Sequence, residues 1–505
     1  MIDPLAIRTQ NSGEQERGFP VSEVERATGS KTLGGNQLEL QYEGSSTFSS
    51  WLEGISRARS MVYLENYLIR DDRVGRAFRD VLIEKARSGI PVYVIYDWVG
   101  CWATPRSYWK PLRKAGVHVR AFNPPSLGIG DPFGILRRDH RKLIVLDGKV
   151  AYVGGFCLGV EWEGRPSHPA WRDTAVKISG PAANVAARAF EATWRGTGGS
   201  LGLSQQLPIL TDVGDTPVWL IEGEPGRTRV YRTIHWIAAR AKERVWITDA
   251  YFVAPRSVSE ALGAAAQQGV DVRVLVPAHN NWPLVGSLSR GGYRSLLKSG
   301  VRIFEWQGPM IHAKTAVVDG IWSRVGSSNL NSASLIGNWE LDVGVLDKKL
   351  ASQLEELFLA DLSSSIEIVL PARKLEHGIK IPKSSSAIES LDPQGTLSER
   401  MMQIRTLGTI QSRITMAPLV RARGALGDSL AGDRPIGRED RTVLGTVSAI
   451  ILSTAIIAAF FPTFVGAMVA VVAGWFGLTT GIRAYLQSRR ARSEEQETST
   501  TTELD

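Results

Sequence analysis

At 505 residues and 55.2 kDa, the chain is longer than one ordinary domain, and its length predicts two or three. It is 43% hydrophobic and 22% charged, and its two cysteines exclude both a disulfide-dense secreted scaffold and a zinc-binding cysteine cluster. A formal net charge of +8 suits anionic partners such as lipid headgroups or nucleic acid, although a merely basic soluble surface gives the same balance.

The first 34 residues are polar, with scattered charges, and they lack the basic-then-apolar start of a secretory signal peptide. We therefore expect residues 1–34 to form a flexible lead-in. From residue 35 to residue 200, helical and strand patterns alternate, which favours an α/β fold with a mainly parallel core. The predicted elements of this unit are a helix at 48–60, a strand at 61–68, a helix at 74–88, a strand at 91–98, a short strand at 116–119 and a helix at 182–194.

Residues 201–372 repeat this order. The segment GVDVRV at 269–274 echoes GIPVYV at 89–94, and GVRI at 300–303 echoes GVHV at 116–119. Internal similarity of this kind predicts two homologous halves that pack face to face. Because clefts between such units are the usual home of ligand sites, we expect the functional site in the seam.

The most informative repeat is a short polar motif inside apolar strands. DHRKLIVLDGKVAYVGG at 139–155 recurs as IHAKTAVVDGIWSRVGS at 311–327. In each copy an alternating strand pattern runs up to an Asp-Gly turn, and a second strand pattern follows the turn. Each copy therefore predicts a β-hairpin. The repeated polar residues are His140, Lys142 and Asp147 in the first copy, and His312, Lys314 and Asp319 in the second.

Strand geometry divides these residues into two groups. Residues i and i+2 share a face, so the histidine and lysine of each copy point the same way, whereas Asp147 and Asp319 face the opposite side and are expected to brace the hairpins. Two histidines and two lysines brought together suit a phosphate: one imidazole attacks phosphorus, the other protonates the leaving oxygen, and the ammonium groups stabilise the charge. This chemistry requires no metal and no cofactor.

On these motifs the chain resembles the phospholipase D superfamily, whose signature is a doubled HxKx4D followed by a GSxN-type segment. Within it the chain is most similar to bacterial cardiolipin synthases, over residues 35 to 370. The resemblance implies that His140 is a nucleophile that becomes a phosphohistidine, and that His312 is a general acid and then a base. It also implies that Glu340 orients His140 and that Asp173 orients His312.

The resemblance extends to the segment after the second motif and weakens after the first. Ser327 and Asn329 match the family's phosphate-contacting positions. Cys157 stands where the repeat predicts the counterpart of Asn329, so a symmetric site is not expected there.

The C-terminal region differs in composition from the two halves. Residues 373–441 predict a linker in which a basic amphipathic pattern at 397–414 indicates a helix on an anionic bilayer or one packed on a protein surface. Residues 442–485 predict a transmembrane helical hairpin, although a re-entrant hairpin or one kinked span is also compatible with the pattern. The flanking arginines place both chain ends and the catalytic domain on the cytoplasmic side of the cell membrane. Residues 486–505 predict a disordered tail.

The resemblance, together with the predicted membrane segment, implies a membrane phosphatidyltransferase that makes cardiolipin from phosphatidylglycerol, with the membrane as its partner and no nucleic acid. A hydrolytic phospholipase D would share every one of these residues and differ only in using water as acceptor. A nucleic-acid phosphodiesterase is a third hypothesis, and a non-catalytic membrane scaffold is a fourth. The sequence leaves the oligomeric state open.

Overall fold

A computed structural model of the chain describes residues 19–124, 137–166, 168–199, 207–208 and 210–370. The helices in these ranges are α1 (Val21–Thr28), α2 (Gly44–Arg57), α3 (Arg73–Arg87), α4 (Arg106–Lys114), α5 (Val160–Glu163), α6 (Ala182–Gly196), α7 (Arg229–Arg240), α8 (Arg256–Gln267), α9 (Pro283–Lys298) and α10 (Lys348–Ser363). The strands of the first half are β1 (Leu33–Gln41), β2 (Val62–Asn66), β3 (Val92–Asp97), β4 (His118–Phe122), β5 (Lys142–Leu146), β6 (Val150–Gly154) and β7 (Ala175–Ser179). Those of the second half are β8 (Thr216–Gly223), β9 (Arg244–Asp249), β10 (Asp271–Pro277), β11 (Arg302–Trp306), β12 (Lys314–Val318), β13 (Trp322–Gly326), β14 (Glu340–Leu346) and β15 (Ser365–Ile368).

The strands follow one continuous order, β15-β11-β10-β9-β12-β13-β14-β8-β1-β7-β6-β5-β2-β3-β4. This order confirms the α/β class and the repetition of one unit. The expectation of a mainly parallel core is wrong, because only β2-β3-β4 and β9-β10-β11 pair in parallel among the described strands. The motifs explain the difference, since each forms a hairpin, β5-β6 or β12-β13, and a hairpin is antiparallel.

The two halves are related in register as well as in order. Val62 of β2 lies opposite Val92 of β3, and Val245 of β9 lies opposite Val272 of β10, so positions 92 and 272 correspond. The halves join edge to edge where β1 pairs with β8. They also share an apolar core in which Val153 and Val176 of the first half meet Val325 and Val343 of the second. The sheet and this core together fix the seam in which the motifs lie.

The expectation of a flexible segment at residues 1–34 is wrong for its described part, residues 19–34. Helix α1 packs on α7 of the second half, with Phe19 and Val24 buried and the Phe19 ring centroid 5.4 Å from that of Trp236. Burying each of these apolar side chains stabilises the fold by about 2 kcal/mol. That gain holds the segment in place despite its scattered charges.

No helix in the described residues is both long and apolar enough to cross a bilayer. The predicted linker at 373–441, the predicted transmembrane hairpin at 442–485 and the predicted tail at 486–505 all lie outside those residues.

Candidate active site

The backbone ties each motif histidine to the opposite half. The N–H of His140 donates to the carbonyl of Trp339 at 2.8 Å, and the N–H of His312 donates to the carbonyl of Arg172 at 2.6 Å. Isolated parallel β-bridges pair Asp139 with Trp339 and Arg172 with Ile311 next to these hydrogen bonds. Both histidines therefore enter the seam in the same way, immediately before β5 and β12.

The side chains cross the seam in the same pattern. His140 Nδ1 lies 2.9 Å from Oε2 of Glu340, and His312 Nδ1 lies 2.7 Å from Oδ2 of Asp173. Both carboxylates are fully buried, and the histidines are 9% and 4% exposed. A carboxylate on Nδ1 fixes the tautomer of each ring and leaves Nε2 to react.

The support of the two acids differs between the halves. Ser327 donates its hydroxyl proton to Glu340 Oε2 at 2.6 Å and accepts the N–H of Leu341 at 2.9 Å. Gly155 occupies the corresponding place in the first half, where a Cβ atom would lie 2.0 Å from Asp173 Oδ1. There Trp162 donates its indole N–H to Asp173 Oδ2 at 2.8 Å instead. Sequence reasoning missed Trp162, although the exchange of Ser327 for Gly155 signalled that Asp173 needs another donor.

The two motif lysines lie beside the histidines. Lys142 and Lys314 are buried, and each ammonium donates to the carbonyl of the histidine two residues before it. Lys314 Nζ also lies 3.0 Å from Nδ1 of His312. The ammonium can only donate, so Nδ1 either accepts a proton from Lys314 or donates its own to Asp173. We assign a protonated Nδ1 that donates to Asp173, the closer of the two groups.

A tyrosine covers each pair of motif residues. The Tyr67 ring meets the His140 ring edge-on at a centroid distance of 4.9 Å, and its centroid lies 5.1 Å from Lys142 Nζ. In the second half, Tyr251 lies 5.7 Å from the His312 ring and 5.7 Å from the Lys314 ammonium. These rings hold the cations by their π faces and exclude water from the pocket wall.

Burial sets the protonation of the site. It lowers the pKa of His140, and burial together with the Lys314 charge lowers the pKa of His312 to about 3. Burial also lowers the pKa of Lys314 to about 8. Burial alone would raise the pKa of Asp173 and of Glu340, but the histidine beside each carboxylate holds it below its usual value. At neutral pH the site thus pairs neutral imidazoles with ionised carboxylates, and a neutral imidazole is the nucleophilic form.

The predicted phosphate-contacting residues behave differently from each other. Asn329 is 3% exposed, and its Oδ1 has no hydrogen-bond partner among the described residues. The side-chain oxygen of Asn329 is therefore uncommitted, whereas the hydroxyl proton of Ser327 is given to Glu340. Cys157, the counterpart of Asn329, is 2% exposed within an apolar cluster, and burial raises the pKa of its thiol. The first half thus places a packing residue where the second half places a polar one.

The structure places the two motif aspartates in the hairpin turns, away from the histidines. Asp147 (φ 55°) accepts the N–H groups of Arg59, Ser60 and Met61, and Asp319 (φ 51°) accepts those of residues 242–244. Each carboxylate joins the hairpin turn to the start of the neighbouring strand, β2 or β9.

Comparisons with known proteins agree with this geometry. The sequence profile described as "Cardiolipin synthase, PLD-like domain" matches residues 52–165 and 236–362, and each match contains one motif. Cardiolipin synthase A of Pseudomonas aeruginosa (strain UCBPP-PA14) is 32% identical over 352 residues, which cover 69% of this chain and 71% of that protein. Cardiolipin synthase A of Pseudomonas putida (strain GB-1) is 34% identical over 357 residues, covering 69% and 73% respectively.

The fold is also similar to a solved structure. The crystal structure of the phosphatidylserine synthase of Haemophilus influenzae Rd KW20 superposes with a TM-score of 0.53 over 68% of this chain and 92% of that one. At 14% sequence identity this likeness concerns the fold alone.

Proposed function

The chain belongs to the cardiolipin synthase family of phospholipase D-like phosphatidyltransferases, and from this premise we propose that it forms cardiolipin from two molecules of phosphatidylglycerol at the cytoplasmic membrane. The observation that carries the proposal is the pair of crossed contacts, His140 with Glu340 and His312 with Asp173. They supply two equivalent imidazoles, each with Nδ1 held by an acid. A transfer that makes and then breaks a covalent intermediate needs two such groups.

In the first step, Nε2 of His140 attacks the phosphorus of phosphatidylglycerol. An N–P bond forms as the P–O bond to the headgroup glycerol breaks, and His312 gives its proton to the departing oxygen. Glu340 stabilises the positive charge that develops on the His140 ring. The product of this step is a phosphatidyl-histidine and free glycerol.

In the second step, the roles reverse. His312, now neutral, takes the proton from a hydroxyl of a second phosphatidylglycerol, whose oxygen attacks phosphorus as the N–P bond breaks. Cardiolipin is released, and both imidazoles return to their starting protonation. Lys142, Lys314 and the side-chain N–H groups of Asn329 are the donors that we assign to the non-bridging phosphate oxygens, where the charge is concentrated.

The membrane setting rests on the sequence. Residues 443–482 carry no charge, and Pro462 divides them into two stretches of about 20 residues, the length that spans a bilayer. Arginines on both outer sides support a cytoplasmic position for the catalytic halves. A hairpin of this kind keeps the site next to a substrate that itself lies in the membrane.

The experiment is to supply the full-length protein in phosphatidylglycerol membranes with headgroup-labelled and acyl-labelled lipid and to resolve the products. We expect acyl-labelled cardiolipin with release of labelled glycerol, and loss of both products in His140→Ala and in His312→Ala. His118→Ala is the matched control, because His118 lies on the exposed side of β4 against Tyr93, and it should keep activity. Phosphatidic acid as the only lipid product would replace the transferase by a hydrolase, and the absence of both lipids would overturn the choice of substrate.

A further inference from the structure

The two most exposed large hydrophobic side chains of the described residues are Trp102 and Trp282, at 76% and 64% exposure. They lie on corresponding loops of the two halves, Trp102 between β3 and α4 and Trp282 between β10 and α9. Two large exposed apolar side chains on corresponding loops form a repeated feature, unlike a single exposed hydrophobic residue, which is common on protein surfaces.

Both tryptophans lie on loops that cover the active-site tyrosines. Each loop follows the carboxyl end of a parallel strand, β3 or β10. In the first half, Gly100 leaves no room for a Cβ atom, which would lie 2.0 Å from the carbonyl oxygen of Tyr67. In the second half, the hydroxyl of Tyr251 donates to Asn281 Oδ1 at 2.8 Å, and Trp282 follows directly. The exposed indoles are therefore connected, through Tyr67 and Tyr251, to the two motif histidines.

The segments that carry the tryptophans are basic. Residues 98–115 contain four Lys or Arg and no Asp or Glu. Residues 278–298 contain three Lys or Arg and no acid, and one of these three, Arg290, pairs with Glu305 at 2.8 Å. These basic residues lie on α4 and α9, the helices that directly follow the two loops. An exposed indole followed by a basic helix complements a surface of anionic headgroups over hydrocarbon.

We propose that Trp102 and Trp282 are a pair of anchors, one from each half, with which the mouth of the active site docks on an anionic bilayer. The indole rings lie at the headgroup level, one on each side of the seam, and the basic segments face the lipid phosphates. This inference deepens the proposed function and rests on it, because a lipid acceptor and a lipid donor both reach the site from the same surface. Docking through both halves presents the seam itself to the membrane.

The test uses the full-length protein and two forms of phosphatidylglycerol: bilayer vesicles and the dihexanoyl lipid below its micelle concentration. We expect Trp102→Ala/Trp282→Ala to lose kcat/KM on vesicles by on the order of tenfold for each ring removed, and to stay within about twofold of wild type on the soluble lipid. Val213→Ala, a 51% exposed apolar side chain on neither loop, is the control and should leave both values unchanged. An equal loss on both substrates would overturn the anchor role, and an inactive wild type on both would instead overturn the proposed function.

A second readout is independent of turnover. In vesicles of brominated phosphatidylglycerol, bromine quenches only tryptophans that touch lipid, so Trp102→Phe/Trp282→Phe should lower the quenched share of the fluorescence. Trp236→Phe is the control, because that ring packs on Phe19 inside the protein, and it should leave the quenched share unchanged or raise it. An unchanged quenched share in the double variant would overturn the proposal. A lower oligomeric state in the double variant than in wild type would also overturn the proposal, because a second copy of the chain would then be the occupant of this surface.

Discussion

Nδ1 of His140 lies 2.9 Å from Oε2 of Glu340, although 200 residues separate the two in the chain. The relation is reciprocal, because His312 makes the equivalent contact with Asp173, 139 residues before it. Each half thus contributes one imidazole and the acid for the imidazole of the other half. Neither half contains a complete histidine–acid pair, so the site exists only when the seam is assembled.

Replacing Glu340 by Gln tests this relationship most directly. The change keeps the shape of the side chain, but it removes the charge that stabilises a positive His140 ring and no longer fixes its tautomer. We expect kcat to fall by about 10²- to 10⁴-fold, with a circular dichroism spectrum like that of wild type.

Ser327→Ala is the graded comparison for Glu340→Gln. It removes one hydrogen bond to Glu340, at 2.6 Å, and leaves the carboxylate itself in place. We expect a loss of about tenfold, from a net hydrogen-bond contribution to a charged group of about 1.5 kcal/mol. Near-normal turnover in Glu340→Gln would show that the crossed contact is structural only.

The order of the two histidines is tested by trapping the intermediate. His312→Ala removes the acid of the first step and the base of the second, so catalytic turnover should stop. The slow first step that remains should release at most one glycerol per enzyme and leave an acyl-labelled phosphatidyl-enzyme that survives denaturation at alkaline pH. In His140→Ala no label should remain on the protein. Mass spectrometry of the labelled peptide should place the adduct at residue 140, and an adduct at residue 312 in the reverse variant would exchange the two roles.

The elements that occur in both halves of this molecule were predictable from the sequence. Residues 91–98 were predicted as a strand, and the structure confirms it as β3 within about two residues. The segment at 269–274, identified as the echo of 89–94, overlaps the equivalent strand β10. The crossed acids were predicted only through the resemblance, because no local pattern connects Asp173 with a histidine 139 residues away. The structure brings all four side chains together, while their catalytic roles stay predictions.

The sequence did not predict the features that lack a hydrophobic periodicity or an equivalent in the other half. Strands β1 and β8, which join the halves, have weak alternation because Gly34 and Gly35 interrupt β1 and a register shift lies between Leu33 and Asn36. Trp162 is one of 15 tryptophans, and no pattern in the sequence distinguishes it from a core residue. Its role follows from Gly155, which lacks the hydroxyl that the second half has at this position, so that Trp162 supplies the donor to Asp173. Ser327 was assigned to phosphate from the motif, whereas its geometry assigns it to Glu340.

Asp147 provides a stability prediction with little expected effect on chemistry. Its carboxylate accepts three backbone N–H groups and the hydroxyl of Ser60, and its φ of 55° suits Asp or Asn far better than Ala. Since the group is partly exposed, we expect Asp147→Ala to cost about 2 kcal/mol, or about 4 °C in apparent Tm.

Asp147→Asn is the comparison for this prediction, because it keeps an acceptor oxygen and the tolerated backbone. It should lose less stability than Asp147→Ala, and kcat of the folded protein should remain within about twofold of wild type in both. A stable but inactive Asp147→Asn enzyme would contradict the bracing role and bring this residue into the chemistry.

Buried histidines predict that acid destabilises the folded halves. The pKa of His312 is lowered to about 3 by burial and by Lys314, from an ordinary value near 6.5 in the unfolded chain. Between these values the unfolded state binds more protons, so stability is fully present above about pH 6.5 and is lost as pH falls towards 3. The lowered pKa values of Asp173 and Glu340 act in the same direction at lower pH. Apparent Tm should fall steadily between these pH values, with a smaller slope in His312→Gln, and equal slopes would refute the assignment to His312.

The same electrostatics predict that binding a phosphodiester brings a proton into the site. The pKa of His312 is about 3, so its ring is neutral at pH 7, yet the first step requires a proton on it. A bound diester adds a negative charge next to the ring, which raises the pKa of His312 and offsets the repulsion from Lys314. Calorimetric titration with dihexanoyl phosphatidylglycerol at pH 7, repeated in buffers of different ionisation enthalpy, should show uptake of up to about one proton. His312→Ala should abolish the uptake and His118→Ala should retain it, whereas binding without proton uptake in the wild type would mean that the acid acquires its proton elsewhere.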